Sequence, residues 1–497
     1  MSSEATPTSE PGTPRTSLRR RVAFRCAAVV FGVALIFGAE LACRAFDWGR
    51  PEATDDPFVG FESIVPLFVA REDKLRMDIA PGRLKFFAAD SFPLAKSERT
   101  FRIFCLGGST VQGRPFSIET SFTTWLQQAL SVADTSRDWE VVNCGGVSYA
   151  SYRLVPILKE CLRYEPDLIL VCTGHNEFLE DRTYSELKSV GSMNRMLGHS
   201  RLYTLLRAKL QPDPKQSAQF LMNTDVDARL DYNDGLQYYR RDDAWRDQVV
   251  QHFGNNLRRM SDACEQANVP LVFMLPPSNL SDSPPFKTEP NVAVADDVAT
   301  RVAQARERYQ TDLPAAIEAL KAAVRLDERN AVNLYELGRA LESAGRVDEA
   351  RIAFVRARDE DVCPLRMISQ LEKRIRDVAT ECSREFVDLH AMLESESRGP
   401  ILGDGLLVDH IHPSFRGHQV IANRLVQVLA KMNFVKPVEG WEDSTAALYR
   451  EHFKSLDDLY FLRGQRTLEN LREWARGRGH NLPEREAKPN EQPAGNR

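Results

Sequence analysis

No Cys-x-x-Cys pair and no His-Glu-x-x-His segment occurs in this sequence of 497 residues, so two common signatures of a zinc site are missing. A disulfide framework is missing too. The nine cysteines are an odd number, scattered from Cys26 to Cys382, whereas disulfide-held domains carry even sets at tight spacings. Cys105, Cys144 and Cys172 stand inside apolar, strand-like runs and read as small buried hydrophobes. There is no basic excess: 65 Lys and Arg face 70 Asp and Glu, for a formal net charge of −5. Nothing in that balance points to nucleic acid, and no long acidic block offers a tail to a basic partner. No motif calls for a metal or a cofactor. What is present is an ordinary globular composition, 43% hydrophobic and 27% charged, in a chain long enough for two or three domains.

The N-terminus breaks that ordinariness. Residues 1–21 form a leader, rich in Ser, Thr, Pro and Glu to residue 18 and closed by Arg19, Arg20 and Arg21. Its composition reads as disordered. An apolar stretch follows from Val22 to Cys43, with Arg25 and Glu40 near its ends. Its uninterrupted part, Cys26 to Ala39, is short enough for a signal-peptide core. However, no small-x-small cleavage site follows, and Glu40 stands where a lipobox before Cys43 would carry leucine. With Phe46 and Trp48 as interfacial aromatics, residues 22–43 read as an uncleaved single-pass membrane anchor. The arginines would hold the N-terminus in the cytoplasm, leaving the rest exported to the periplasm or beyond. A cleaved signal and a buried N-terminal helix are the alternatives.

Residues 50–100 show no strong periodicity and read as a stalk leading into a first core strand. From there, strand-length apolar runs alternate with helical segments, as in a parallel α/β domain. The runs are Phe101–Leu106, Glu140–Asn143, Leu168–Thr173, Leu271–Leu275 and Phe386–Leu389. The helical segments are Glu119–Val132, Ser151–Arg163, Trp245–Ala267 and about Gly417–Met432. The expected domain is split, covering 50–295 and 362–435. The polar stretch 187–241 reads as a cap over the site. Residues 296–361 break the rhythm: Ala316, Leu320 and Ala323 recur as Ala350, Phe354 and Ala357, a period of 34 (350 − 316 = 34). Together with Leu334, Leu337, Gly338 and Leu341, these positions resemble a tetratricopeptide repeat, a helix pair whose stacked copies offer a groove to a protein or peptide partner. A plain helical hairpin is the alternative. Residues 436–497 read as a C-terminal helix followed by a disordered tail.

Four loops carry the residue types of one chemistry. Leu106-Gly107-Gly108-Ser109-Thr110 follows the first strand, where glycines allow a tight turn that exposes a serine at the carboxyl end of a sheet. Asn143-Cys144-Gly145-Gly146-Val147-Ser148 follows the second. Thr173-Gly174-His175-Asn176-Glu177 follows the third, and an Asn side chain there can donate to an oxyanion. Last comes Asp409-His410-Ile411-His412-Pro413. An Asp and a His three apart can meet within one turn, the carboxylate fixing the imidazole tautomer beside a distant serine. Each loop alone is only moderately specific, and the first two would pass for ordinary strand-to-helix turns. A metal site of His410, His412 and His418 is the alternative for the last loop, but further acidic or cysteine ligands are lacking.

Serine, glycine, asparagine and Asp-x-x-His, in this order, resemble the four blocks of the SGNH (GDSL-like) hydrolase superfamily. The resemblance covers residues 100–180 and 400–430 closely. It implies a flavodoxin-like three-layer α/β/α hydrolase domain and serine esterase activity. Carried over by position, Ser109 is the nucleophile, His412 the general base and Asp409 its orienter. The oxyanion hole falls to the Ser109 N–H, a block-two N–H and the Asn176 side chain. The block-two glycine of the family falls at Ser148, which can still supply a backbone N–H; Gly145 is the other candidate donor. Gly-His-Asn-Glu-Phe and the helical insertion further resemble bacterial SGNH proteins that combine this domain with tetratricopeptide repeats. There Arg182 and Arg366 are recurring positions, and with His175 and Glu177 they are candidates for the substrate pocket. The implied reaction is hydrolysis of an O-acyl ester, acetyl above all, on a small molecule or a carbohydrate such as an envelope or extracellular polysaccharide. Acyl transfer to another alcohol would use the same residues. A non-catalytic scaffold that binds proteins through its repeats would leave Ser109, Asn176, Asp409 and His412 without a task.

Overall fold

The computed structural model describes residues 18–45, 65–182, 202, 205, 225–232 and 234–475, which belong to two compact bodies. In the first body the described residues are helix α1 (Leu18–Ala45) and residues 202 and 205. Its segment Cys26–Cys43 has a mean hydropathy of 2.2 and is long and apolar enough to cross a membrane. Residues 18–21, expected in a disordered leader, are already helical; arginine is a good helix former and nothing there interrupts a helix. Residues 1–17, the aromatics Phe46 and Trp48, and the tail from 476 lie outside the described residues.

The second body opens with an element that the sequence reading missed. Strands β1 (Phe68–Ala70), β2 (Arg76–Ile79) and β3 (Ser91–Pro93) form a small antiparallel sheet. Residues 65–93 are therefore no stalk: Phe68, Met77, Ile79 and Phe92 are buried in the main core. Strands of three or four residues are too short to show alternation. The β1 edge is tied down where the Leu67 and Phe68 N–H groups donate to the Glu160 carboxylate at 2.7 and 2.9 Å.

The central sheet has five parallel strands: β4 (Thr100–Gly107), β5 (Asp138–Gly145), β6 (Leu168–Cys172), β7 (Leu271–Leu275) and β8 (Glu385–Asp388). Their spatial order is β5-β4-β6-β7-β8, the flavodoxin-like order of a doubly wound sheet. In chain order the helices of this body are α2 (Ser109–Gln112), α3 (Phe122–Ala133), α4 (Ser151–Cys161) and α5 (Asp243–Gln266). Next come α6 (Ala295–Arg308), α7 (Leu313–Leu326), α8 (Ala331–Ser343) and α9 (Val347–Asp359). The last are α10 (Ser369–Glu381), α11 (Leu389–Ser395), α12 (Phe415–Lys431), α13 (Trp441–Ser455) and α14 (Asp458–Ala475).

Side chains alternate across the sheet, and both faces are buried. Phe104, Leu106, Ile169, Val171 and Phe273 pack with α4, α5 and α10. Ile103, Cys105, Leu170, Val272 and Met274 pack with α3, α11, α12 and α13. Between β7 and β8 the chain leaves to form two helical hairpins, α6–α7 and α8–α9, with an apolar core of their own. Ala316 and Leu320 are buried there, as are Ala350, Phe354 and Ala357, while Ala323 is buried in a smaller cluster with Val298 and Val302. Gly338 lets the helices close: a β-carbon on it would lie 2.7 Å from the Phe354 ring. Of the stretch 187–241 expected as a cap, residues 225–241 apart from 233 are described in continuity. Val226, Ala228, Leu230 and Tyr239 pack into the main core.

Candidate active site

The four motif loops lie at the carboxyl ends of the strands, where an open α/β sheet leaves a crevice. Strand β4 ends at Gly107, and Ser109 is the first residue of α2. Space dictates the glycines here. A β-carbon on Gly107 would stand 2.2 Å from the Cys172 carbonyl oxygen, and one on Gly145 would stand 2.1 Å from the Gln112 nitrogen. Helix α2 is thus seated directly on the ends of its neighbouring strands. Asn143 pins it from below, its Nδ2 donating to the Val111 carbonyl at 2.7 Å. Gly108 makes room for something else. A β-carbon there would come within 2.6 Å of Asn176 Nδ2, a role the sequence reading missed.

His412 Nε2 lies 2.8 Å from Ser109 Oγ, and His412 Nδ1 lies 2.7 Å from Asp409 Oδ2. The tautomer that fits carries its proton on Nδ1, donates to the carboxylate and leaves Nε2 to accept the serine proton. Asp409 Oδ1 accepts the N–H groups of Ile411 at 2.9 Å and His412 at 2.8 Å, so the turn is held by its own carboxylate. Ser109, Asp409 and His412 are all buried, with 7%, 8% and 2% of their surface exposed. Burial by itself raises the Asp409 carboxyl. His412, His410 and the hydrogen bonds from His412 outweigh that and hold it below the usual carboxylate range, so the group is ionised at neutral pH.

Two further histidines near the turn, His410 and His418, are held neutral. Burial pushes His410 down to about 4 against the pull of Asp409. Burial, helped by His412, pushes His418 down to about 3. His418 Nδ1 accepts the Phe122 N–H at 3.1 Å and its ring stacks on Phe122. Among the described residues no three His, Cys, Asp or Glu side chains converge as a metal-binding group.

Asn176 donates one Nδ2 hydrogen to the Tyr149 carbonyl at 3.1 Å. In the block-two loop, backbone donors are already taken at Gly145 (Asn143 Oδ1, 2.9 Å), Gly146 (Gly107 carbonyl, 2.9 Å), Val147 (Phe86 carbonyl, 2.8 Å) and Tyr149 (Gly146 carbonyl, 3.1 Å). Gly145 is therefore closed as an alternative donor. The Ser148 N–H meets no acceptor among the described residues. Ser148 has φ +63°, the left-handed conformation in which a glycine is at ease and another residue is strained by about 1–2 kcal/mol.

The expected pocket residues turn out to be internal braces. Glu177 has no exposed surface; its carboxylate accepts the N–H of Ser151 at 2.7 Å and the Ser151 hydroxyl at 3.1 Å, capping α4. Arg182 is buried, donates to the Glu177 carbonyl and lies over the Tyr152 ring at 4.4 Å, with Nη1 3.1 Å from His252 Nδ1. Arg366 is buried and donates to the carbonyls of Asn279 and Ser283, both at 2.7 Å; burial lowers its guanidinium to about 10. His175 accepts the Met367 N–H at Nδ1 (3.1 Å). Burial, then His410 and His412, keep it well below the ordinary imidazole value. Met367 reaches it because Gly174, at φ +142°, has no side chain: a β-carbon would lie 2.5 Å from Met367 Sδ. Buried charges such as those of Glu177, Arg182 and Arg366 need partners inside the protein, which is why these three residues face inward.

No protein-family model and no curated protein matches the chain. Among solved structures it is similar to an alpha/beta hydrolase enzyme from the metagenome of Lake Arreo, Spain, at 12% identity over 69% of this chain and 98% of that one, with a TM-score of 0.28. It is also similar to a catalytic mutant of an acetylxylan esterase from Geobacillus stearothermophilus, at 12% identity over 67% and 94% of the two chains, TM-score 0.30. A third is a lipase/acylhydrolase from Enterococcus faecalis, at 13% identity over 68% and 100%, TM-score 0.29.

Proposed function

We propose that the chain is a serine esterase of the SGNH (GDSL-like) type, acting by two-step acyl transfer on an O-acyl ester. The observation that carries this reading is the line Ser109 Oγ, His412 Nε2, His412 Nδ1, Asp409 Oδ2, with hydrogen-bond distances of 2.8 and 2.7 Å. His412 takes the serine proton as Oγ attacks the ester carbonyl, and Asp409 supports the imidazolium that forms. The oxyanion that develops is met by the second Nδ2 hydrogen of Asn176 and by the N–H groups of Ser109 and Ser148. His412 then hands its proton to the leaving alcohol, and water releases the acyl group. The substrate we favour is an acetylated carbohydrate of the cell envelope or its surroundings. A second reading, transfer of the acyl group to another alcohol, draws support from the burial of Ser109 and His412, since a shielded acyl-enzyme is slow to meet water. The test is turnover of an aryl acetate and of acetylated glycans, with fluorophosphonate labelling at Ser109 and with or without an added alcohol acceptor. Absence of both turnover and labelling defeats the enzyme reading. Acetylated product that forms only with the acceptor selects transfer.

The proposed role of Ser148 is confined to its backbone. Ser148→Gly should keep full activity and gain up to about 1 kcal/mol, because it relieves the left-handed strain. Ser148→Pro should lose most activity, since proline lacks the N–H and its ring fixes φ near −65°. Thermal melts and aryl acetate kinetics read both. A Ser148→Gly variant that is folded but inactive would assign the task to the hydroxyl instead.

Helix α1 we read as the anchor, with Arg19–Arg21 cytoplasmic and the enzyme exported, and the hairpins α6–α9 as tetratricopeptide-type repeats open to a protein partner. Full-length chain is expected to sediment with membranes and to stay there in high salt, and a chain lacking residues 1–49 to remain in the supernatant. A mature N-terminus found beyond Cys43 would mean a cleaved signal.

A further inference from the structure

One short loop after β7 touches both the helical hairpins and the turn that carries His412. On the hairpin side, Leu280 is buried in their apolar core with Leu320, Leu334 and Phe354. The Ser281 carbonyl accepts from the Tyr335 hydroxyl at 2.7 Å and from Arg339 Nη1 at 3.2 Å, both on α8. On the catalytic side stands Asn279, which has no exposed surface. Its backbone N–H donates to the His410 carbonyl at 2.9 Å. Its Nδ2 donates to the Asp409 carbonyl at 3.2 Å and to Asp404 Oδ1 at 2.7 Å. Its Oδ1 accepts the Asp282 N–H at 2.9 Å, and its own carbonyl is held by Arg366.

These contacts have a particular effect. The Asp409–His412 turn keeps its internal shape through Asp409 Oδ1, but internal bonds cannot say where the turn sits relative to Ser109. That is decided by contacts from outside it, and Asn279 supplies two of them, on consecutive carbonyls. A shift of about 1 Å in such a turn is enough to lower turnover about a hundredfold. We infer that Asn279 is a positioning residue for the His412 base, and that the helical hairpins set the working position of that base through the Leu280–Ser281 contacts. The inference rests on the esterase reading and extends it to regulation: whatever moves α8 moves the base.

The test uses the full-length protein, wild type against Asn279→Ala and against the double variant Tyr335→Phe/Arg339→Ala, each checked for folding by circular dichroism. Asn279→Ala removes the Nδ2 bond to the Asp409 carbonyl and keeps the backbone N–H on the His410 carbonyl; it should lower kcat about 10-fold with KM within about threefold, and slow fluorophosphonate labelling of Ser109 by a similar factor. The α8 variant should lower kcat about 3–10-fold in the same manner. The downfield proton resonance of His412 Nδ1 should weaken or shift in both. A folded Asn279→Ala protein with kcat within about twofold of wild type overturns the positioning role. An unaltered kcat and resonance in the α8 variant overturn the link to the hairpins. Should Asn279→Ala fail to fold, the α8 variant decides. A wild type that neither turns over nor labels defeats the esterase reading alone; the resonance then still shows whether Asn279 and α8 place the imidazole.

Discussion

Replacing Ser109 by alanine is expected to lower hydrolysis of an aryl acetate by about 10⁴–10⁶-fold, with the melting temperature unchanged. The hydroxyl is the atom that His412 Nε2 faces at 2.8 Å, and alanine has nothing in its place. His412→Ala should be nearly as inactive, because an unassisted serine hydroxyl is a poor nucleophile at neutral pH. The double variant should lose little beyond either single one, since nucleophile and base act as a unit. Initial rates and active-site labelling read the outcome. Undiminished hydrolysis by Ser109→Ala would remove the mechanism, and activity that a chelator abolishes and zinc restores would move attention to the histidines.

The second large effect should appear twice, from two unlike substitutions. Asn176→Ala removes the proposed side-chain donor to the oxyanion; loss of such a donor typically costs about 10²–10³ in kcat and little in KM. Gly108→Ala leaves Asn176 in place, and its backbone angles, φ −87° and ψ −156°, suit alanine. Its new methyl group, however, would lie 2.6 Å from Asn176 Nδ2, so the amide must move. A loss of similar size is expected. Because both changes act on one donor, the double variant should be no worse than Asn176→Ala alone. Losses that multiply would mean that Gly108 works by another route, such as the placement of α2.

Much of this arrangement can be read from residue order alone. Core strands buried on both faces announce themselves as short Val, Ile, Leu and Phe runs, and β7 was delimited to the residue, Leu271–Leu275. Asp409 and His412 stand out because a spacing of three is a local property. What escapes the sequence is what depends on facing. Glu177 and Arg182 sit beside a motif and look like pocket groups, yet both point into the body of the protein. An isolated charge gives no sign of the face it occupies. Asn279 escaped for a related reason. In a Pro- and Ser-rich loop an Asn reads as a turn former, and its partner Asp409 is 130 positions away.

The distance along the chain between Ser109 and His412 has a further meaning. The two are separated by 303 residues, with most of the sheet and all of the hairpins encoded between them. At about 5–20 residues per second of synthesis, the base leaves the ribosome about 15–60 s after the nucleophile. During that interval the nascent chain carries a serine without its imidazole. Under the proposed mechanism no early translation product could hydrolyse an ester, and activity would wait until β8 has joined the sheet and the Asp409–His412 turn beyond it has reached Ser109.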